Sequence, residues 1–176
     1  YYVTYELLNA AGMGVPQRRE RVFFTAIRKD LYKGSFVDLF QSLPILGLEF
    51  SGKHIPYKEI ESPYRVEKGY HIPPSVKKYW ELIKPGQDCS IVHPKGSFFQ
   101  EMKLDKDKIL PTLRATSNTY YHYKDERRLF DEEIIKASSF PLDYNFLNNK
   151  AIYICGMSVP PLMTKKIAFE VWTQWL

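Results

Sequence analysis

A cluster of arginines at the start of a short apolar run is the feature that most constrains the fold of this chain. Residues 17 to 21 read Gln-Arg-Arg-Glu-Arg, and Val22 to Ile27 follow directly. The apolar run is too short for any element but a buried strand. Each guanidinium presents five donors in a planar fork and keeps its charge. The cluster therefore indicates a reader of anions or base edges, although a solvated turn or an ion pair with Glu20 would also explain it.

The segments on both sides of the cluster carry strand patterns. Residues 1 to 8 alternate, with Tyr1, Val3, Tyr5 and Leu7 on one face. Two glycines then break the pattern, and Pro16 restricts the backbone before the cluster. In residues 21 to 28 apolar side chains fall on both faces, which predicts a strand covered by helices on both sides.

Two helices follow from capping residues and apolar spacing. Ser75 is a suitable N-cap for a helix that carries Val76, Tyr79, Trp80 and Ile83. Ser158 is predicted to cap a C-terminal helix with Pro160 and Pro161 in its first turn. The apolar stripe of that helix is predicted to hold Leu162, Ala168, Val171, Trp172 and Trp175. Residues 29 to 74 are rich in proline and glycine, which indicates irregular structure with short strands.

The composition narrows the function classes. The net charge of +5 favours an acidic partner such as nucleic acid. No apolar run reaches membrane-spanning length, and no secretory signal is recognisable. Two cysteines give no disulfide framework, and neither they nor the histidines have metal-ligand spacing, so we predict no metal. This use of cysteine fits a protein of the reducing cytoplasm best. Because the chain has no initiator methionine, we expect it to be a piece of a longer protein.

Three stretches resemble, in the correct order, the motifs of the DNA (cytosine-5-)-methyltransferases. Leu8-Asn9-Ala10 followed by Gly14-Val15-Pro16-Gln17-Arg18-Arg19-Glu20-Arg21 resembles the family's Leu-Asn-Ala…Gly-Ile/Val-Pro-Gln-x-Arg-Glu-Arg motif. Residues 128 to 144 resemble its Arg-x-Leu-Thr-x-Arg-Glu…Phe-Pro-x-x-Tyr element, and residues 156 to 161 its near-terminal Gly-Asn-Ser/Ala-Val-Pro-Pro. The chain departs from the family at four positions, which are Phe130, Glu132, Lys136 and Met157. At the second stretch Asp131 is expected to cap a helix.

The resemblance implies an α/β fold. The chain would be the C-terminal part of a Rossmann-like, S-adenosylmethionine-dependent methyltransferase, with a small target recognition domain of mostly β and irregular structure. Residues 1–30 would end the catalytic domain, and residues 31–147 would form the recognition domain with its following helix. Residues 148–176 would be a helix that returns to the catalytic domain.

The resemblance also implies a mechanism that this chain cannot complete. The family attacks carbon 6 of a flipped cytosine with a cysteine thiolate and transfers methyl from S-adenosylmethionine to carbon 5. The family's Pro-Cys dipeptide, Glu-Asn-Val motif and glycine-rich cofactor loop are absent from this sequence. Cys89 and Cys155 are expected to be inert packing thiols. We therefore expect the chain alone to be inactive and the cofactor to be bound mainly by a missing N-terminal part.

Site residues carry over from the motifs. Arg21 is expected to reach the flipped cytosine and stabilise negative charge on it, with Arg19 as the second member and Arg18 at the surface. A structural ion pair is the alternative for both. The segment after Pro111 resembles the recognition-domain Thr-Leu element, which predicts DNA contacts from Thr112, Arg114, Thr116, Ser117 and Asn118. Ser158 and Met157 are expected at the cofactor, where Met157 replaces an amide.

Two function classes follow. The first is part of a bacterial restriction–modification DNA cytosine methyltransferase, with duplex DNA and a missing N-terminal half, in the same chain or a separate subunit, as partners. The second is a non-catalytic DNA-binding subunit of a split methyltransferase, which a start codon just before Tyr1 would favour. The transfer-RNA branch of the family fits less well, because Gln-x-Arg-Glu-Arg is typical of the DNA enzymes. In isolation the tryptophan-rich helix is expected to be covered by a homodimer contact or swapped pairing.

Overall fold

A computed structural model describes residues 1–32, 46–65, 67–98, 100–116 and 118–176. Within them the chain is α/β, as predicted. The four strands are β1 (Tyr2–Asn9), β2 (Glu20–Ile27), β3 (Met102–Lys103) and β4 (Tyr120–Tyr121). The four α-helices are α1 (Pro74–Trp80), α2 (Asp131–Ala137), α3 (Ala151–Met157) and α4 (Pro161–Trp175). None of the helices in these ranges is long and apolar enough to cross a bilayer.

Strands β1 and β2 form an antiparallel pair whose register runs from Tyr2 opposite Ile27 to Asn9 opposite Glu20. A 3-10 turn over Ala10–Met13 follows β1 and leads to the arginine cluster, which runs into β2. Gly14 ends this turn at φ 82°. Asn9 starts the turn by accepting a hydrogen bond from the backbone N–H of Ala11 at 3.0 Å. Both predicted strands are confirmed to within one residue at each end.

The prediction that helices cover β2 on both sides is wrong for the described residues. The inner face packs into a core with α4 and with Leu46 and Leu48. The outer face is exposed, and its apolar members are Val3, Tyr5, Leu7, Val22 and Phe24. The sequence pattern records which positions are apolar, but it does not say which part of a protein covers them. This exposed surface is called the outer sheet face below.

The predicted stripe of α4 is confirmed in part, because Leu162, Val171 and Trp175 pack into the core and Ala168 and Trp172 do not. Met163, Ile167 and Trp175 are buried, whereas Trp172 is 63% exposed. The buried positions recur every four residues, so Ala168 and Trp172 lie about 100° further round the helix. Ser158 does not cap α4, because Pro160 occupies the N-cap position.

The other two predicted caps are also displaced. Helix α1 begins at Pro74 with Pro73 before it, so Ser75 lies inside the first turn. Proline suits the first helical position because the missing N–H has no partner there. In α2, Phe130 takes the N-cap position and Asp131 is the first helical residue. The N-cap position is thus two residues before Ser75 in α1, one residue before Asp131 in α2 and two residues after Ser158 in α4.

A buried carboxylate holds the start of α2. Glu133 accepts a hydrogen bond from the backbone N–H of Phe130 at 2.7 Å and is bound by both terminal nitrogens of Arg127, at 2.8 and 3.0 Å. The Tyr57 hydroxyl and the Ser62 N–H donate to the same carboxylate at 2.9 and 3.0 Å. A buried charge is tolerated only when it is paired and hydrogen-bonded, and Glu133 meets that condition fully.

Candidate functional site

Two side chains of the arginine cluster hold both backbone groups of one distant residue. The N–H of Leu113 donates to Gln17 Oε1 at 2.9 Å, and Arg19 Nη1 donates to the carbonyl of Leu113 at 3.2 Å. One step earlier, the N–H of Arg18 donates to the carbonyl of Leu110 at 2.8 Å. Arg19 and Leu113 are 94 residues apart in sequence. The segment predicted to recognise DNA is thus docked on the cluster through its backbone.

The other end of Gln17 reaches helix α2. Gln17 Nε2 donates to the carbonyl of Ala137 at 3.3 Å and lies 3.4 Å from the hydroxyl of Ser138. The amide therefore ties the end of α2 to Leu113, and Gln17 is fully buried. The sequence assigned no role to this glutamine, although its place in the first motif was a signal that could have identified it.

Arg19 is fully buried, and its guanidinium bridges two parts of the chain. Besides Leu113, it donates from Nη2 to the carbonyl of Gly156 at 2.8 Å. Burial, with the neighbouring charge of Arg21, lowers the pKa of Arg19 to about 10, so it stays protonated at neutral pH. Its Nε has no partner among the described residues. Arg19 thus links the recognition segment to the last turn of α3 and does not face solvent.

Arg21 and Arg18 are the cluster members left available to a ligand. Arg21 lies opposite Leu8 on the inner side of the β1–β2 pair, is half-buried, and donates from Nη1 to the carbonyl of Glu20 at 2.7 Å. Its other donors have no partner within the described part of the chain. Arg18 is exposed, as expected. A half-buried guanidinium with spare donors can bind a carbonyl or phosphate oxygen.

The residues predicted to contact DNA differ in their freedom to do so. The hydroxyl of Thr112 donates to the carbonyl of Arg18 at 2.6 Å, so its proton is in use and its oxygen can only accept. Arg114 donates to the hydroxyl of Thr119 at 3.2 Å, and Asn118 donates to the carbonyl of Leu129 at 2.9 Å. Thr116 is exposed. Ser117 lies outside the described residues.

The predicted cofactor segment touches the recognition segment at Gly156. A Cβ on this glycine would lie 2.6 Å from the carbonyl carbon of Arg114 and 2.6 Å from the Cα of Ala115, which leaves no room for any other residue. Gly156 lies inside α3, between Cys155 and Met157. A glycine inside an otherwise helical pattern was the signal for a close backbone approach.

Met157 and Ser158 together form an open edge. The Met157 side chain is 65% exposed, and the Ser158 hydroxyl donates to the carbonyl of Ile154 at 2.6 Å while its oxygen can still accept. The contact of these two residues with a cofactor stays a prediction. These two residues do not enclose a site by themselves.

Both cysteines are buried, as expected for packing thiols. Cys89 is fully buried, and Cys155 is 1% exposed between α2 and α3. Burial raises the pKa of Cys89 to about 11 and also raises the pKa of Cys155. Because the thiolate is the nucleophilic form, neither thiol is activated at neutral pH.

Comparison with known proteins decides the family. The model of the C-5 cytosine-specific DNA methylases matches residues 1–172. This chain belongs to that family. The methylase chain is 28% identical to the type II methyltransferase M.BsuRI of Bacillus subtilis, with 97% of this chain and 42% of that protein covered. It is 27% identical to the type II methyltransferase M1.HphI of Haemophilus parahaemolyticus, with 97% and 48% covered. The chain thus spans less than half the length of these two curated relatives.

Solved structures of methyltransferases share the fold of the methylase chain. A DNA modification methyltransferase encoded within a prophage of E. coli matches with a TM-score of 0.62 at 17% identity, over 99% of this chain and 61% of that one. The Dnmt2 methyltransferase of S. pombe matches with a TM-score of 0.58 at 14% identity, over 96% and 55%. At these identities the likeness shows the fold, which is part of an α/β methyltransferase fold.

Proposed function

We propose that this methylase chain is the DNA-recognition and base-clamp part of a DNA cytosine-5 methyltransferase in a restriction–modification system. The complete protein would methylate carbon 5 of a cytosine flipped out of duplex DNA. The observation that carries the proposal is the arrangement at the first motif. Arg21 keeps spare donors there, and Leu113, at the start of the recognition segment, is docked on Gln17 and Arg19.

Arg21 is the proposed contact to the flipped base. As a nucleophile adds to carbon 6, negative charge builds on the ring and its carbonyl oxygen. A cationic donor held at that oxygen, or at the adjacent phosphate, stabilises this charge without having to reorganise. Extruding a base costs a few kcal/mol, so a dedicated clamp is useful even before the chemistry begins.

Arg19 supports the site in a different way from the one predicted from the sequence. To touch the base, its guanidinium would have to give up its hydrogen bonds to the carbonyls of Leu113 and Gly156. Its burial therefore favours a positioning role, in which Arg19 fixes the recognition segment relative to Arg21. The DNA contacts themselves are assigned to Thr112, Arg114, Thr116, Ser117 and Asn118, with Thr112 acting as an acceptor.

The cofactor of the complete enzyme is proposed to be S-adenosylmethionine, which supplies the methyl group when it is bound. Met157 and Ser158 would hold one edge of it, through an exposed apolar chain and a hydroxyl oxygen. The rest of the site and the nucleophilic cysteine would lie in a catalytic part outside this chain. The burial of Cys89 and Cys155 supports this assignment.

The proposed catalytic part would cover the outer sheet face. We also propose that residues 1–30 and 148–176 belong to the catalytic domain and residues 31–147 to recognition. The core that joins Leu8 and Ile27 to Met163 and Trp175 supports grouping the two ends of the chain, and Leu46 and Leu48 of the proposed recognition part also pack into it.

The test is methyl incorporation into DNA by the complete enzyme with Arg21→Ala. We expect kcat to fall by about 10²–10³, as when one donor to a developing oxyanion is removed. The matched control is Arg28→Ala, which removes an exposed arginine paired with Asp30 at 2.7 Å just beyond the same strand. Unchanged turnover in Arg21→Ala would remove this residue from the mechanism.

The 176-residue chain alone should incorporate no methyl, and a separately expressed catalytic part should restore incorporation when the two are mixed. Methyl transfer by the isolated chain would overturn the assignment of the nucleophile to another part of the protein.

A further inference from the structure

A large preformed cleft opens beside Arg18. Its volume is about 1350 Å³, and two segments, residues 53–60 and 102–111, supply most of its lining, with Pro16 and Arg18 at one end. The two segments are joined by backbone hydrogen bonds, from the N–H of Tyr57 to the carbonyl of Lys108 at 2.9 Å and from Lys58 to Lys106 at 3.0 Å. Pockets for small ligands have volumes of about 300–1,000 Å³, so this cleft suits part of a polymer better.

The cations of the cleft differ in whether they are neutralised. The Lys58 ammonium lies 2.9 Å from the Asp107 carboxylate, and the Lys108 ammonium lies 3.5 Å from Asp105. Arg18 and Lys53 line the same cleft, and neither side chain has an ionic or hydrogen-bond partner within the described ranges. Glu59 is a third carboxylate in the lining and is not paired with a described cation. Two cations, Arg18 and Lys53, and one carboxylate, Glu59, thus remain unpaired in the cleft.

The position of Arg18 connects the cleft to the proposed site. Its N–H and carbonyl are hydrogen-bonded to Leu110 and Thr112, so its backbone is fixed beside the recognition segment. Successive side chains in an extended segment point in opposite directions. Arg19 accordingly points into the protein and Arg18 points into the cleft. The lining of the cleft therefore includes the residue next to Arg19, which is three positions before Arg21 in the sequence.

We propose that this cleft binds the phosphate backbone of duplex DNA through Arg18 and Lys53. The inference rests on the proposed function and extends it, because the DNA contacts proposed above lie within residues 112–118 and at Arg21. A guanidinium and an ammonium without carboxylate partners are free to exchange their counterions for phosphates. The paired Lys58 and Lys108 shape the cleft, and Glu59 weakens phosphate binding by like-charge repulsion.

The test measures binding of the complete methyltransferase to a short fluorescein-labelled duplex by anisotropy, between about 50 and 200 mM salt. Arg18→Gln and Lys53→Gln should each reduce the slope of log K against log salt by about 0.9, which corresponds to about eightfold weaker binding at 0.1 M salt. Arg18→Lys keeps the charge and should keep the slope. Glu59→Gln should tighten binding.

Lys165→Gln is the matched control, because Lys165 is an exposed lysine on α4 outside the cleft, and its loss should leave the slope unchanged. If the wild-type enzyme binds DNA with a steep salt dependence and Arg18→Gln and Lys53→Gln keep that slope, the cleft proposal is overturned and the proposed function stands. If the wild-type enzyme neither binds a duplex nor methylates DNA, the proposed function itself fails.

Discussion

His122 is a buried histidine whose surroundings set its charge. Its Nδ1 accepts the backbone N–H of Asp125 at 2.8 Å, so Nε2 carries the proton and donates to Glu61, also at 2.8 Å. Burial lowers the pKa of His122, and Arg127 lowers it further, whereas Glu61 and Asp125 act in the opposite direction. Protonating Nδ1 would break its backbone hydrogen bond, which agrees with the net lowering.

A pH dependence of stability follows. The unfolded chain takes up a proton at His122 near the ordinary pKa of about 6.5, whereas the folded chain does so only at lower pH. The free energy of unfolding should therefore be constant with respect to this group above about pH 6.5 and should fall below it, by up to about 1.4 kcal/mol per pH unit. Urea denaturation between pH 5 and 7.5 measures the slope.

The comparison for this measurement is His122→Asn, which removes the titrating group and should flatten the slope. His54, His71 and His93 are retained in both proteins, so their contributions cancel in the difference. Equal slopes in the two proteins would show that His122 does not govern the dependence.

The sequence identified residue types at the site better than it identified their partners. Arg21 was chosen from its motif, and the structure leaves its donors free apart from one hydrogen bond to the carbonyl of Glu20. Arg19 carries the same charge two positions away, and nothing in the sequence separates the two. The difference arises from Leu113 and Gly156, whose carbonyls are 94 and 137 residues distant in the chain. Pairings over such separations depend on tertiary packing, which local patterns do not encode.

Helix α4 allows its buried and exposed tryptophans to be compared directly. Trp175 is 2% exposed in the core with Leu8, Met163 and Ile167, whereas Trp172 is 63% exposed. Trp175→Ala should lower the free energy of unfolding by about 3–5 kcal/mol, because it removes a large side chain from a packed core.

Trp172→Ala should change the free energy of unfolding by less than about 0.5 kcal/mol, as for an ordinary surface substitution. Chemical denaturation of the two variants gives the comparison. Similar losses for both would mean that the apolar stripe first expected from the sequence, which included Trp172, is the buried one.

The elements were easier to locate than their caps. Strands β1 and β2 carried enough apolar and aromatic residues to be placed within one residue. In α2, Ile134 and Ile135 are buried. The predictions of the N-caps were wrong because a serine can also hydrogen-bond to the end of the helix that precedes it. Ser158 does this by donating to Ile154, while prolines define the starts of α1 and α4.

The molecule exposes neighbouring apolar side chains on the outer sheet face, and contiguous exposed apolar patches mark interaction surfaces. On the outer sheet face Tyr5 is 71% exposed and Phe24 is 74% exposed, and their rings lie 5.9 Å apart. We expect the isolated 176-residue chain to self-associate through this face. Sedimentation velocity should show a concentration-dependent shift, and adding the proposed catalytic part should suppress it.

Substitution can place the association on that face. Val22→Lys combined with Phe24→Lys should give a monomer, because two charges would be buried in the contact. Leu82→Lys is the control, since Leu82 is 69% exposed elsewhere on the chain. A wild-type chain that stays monomeric at every concentration would contradict the prediction.

The α/β class, strands β1 and β2 and helices α1, α2 and α4 were readable from the sequence, whereas β3, β4, α3 and the way in which the elements meet were not. Three motifs at residues 8–21, 128–144 and 156–161 converge on Leu113, and none of them contains that residue. The convergence is made by Gln17, which binds Leu113 and the end of α2, and by Arg19, which binds Leu113 and the carbonyl of Gly156 in α3. It depends on hydrogen bonds between these two side chains and distant backbone groups, which local sequence patterns do not encode.

The attachment of Leu113 through its N–H and carbonyl has a consequence for changing target choice. A hold on main-chain atoms is indifferent to side-chain identity, so the residues after Leu113 can be exchanged without loosening the anchor. Gly156 sets the other limit, because the backbone at Arg114 and Ala115 passes too close for any added atom. A recognition segment taken from another methyltransferase should therefore begin at Thr116. The backbone at Arg114 and Ala115 and the backbone at Gly156 should be kept, and Gln17 and Arg19 should stay in place.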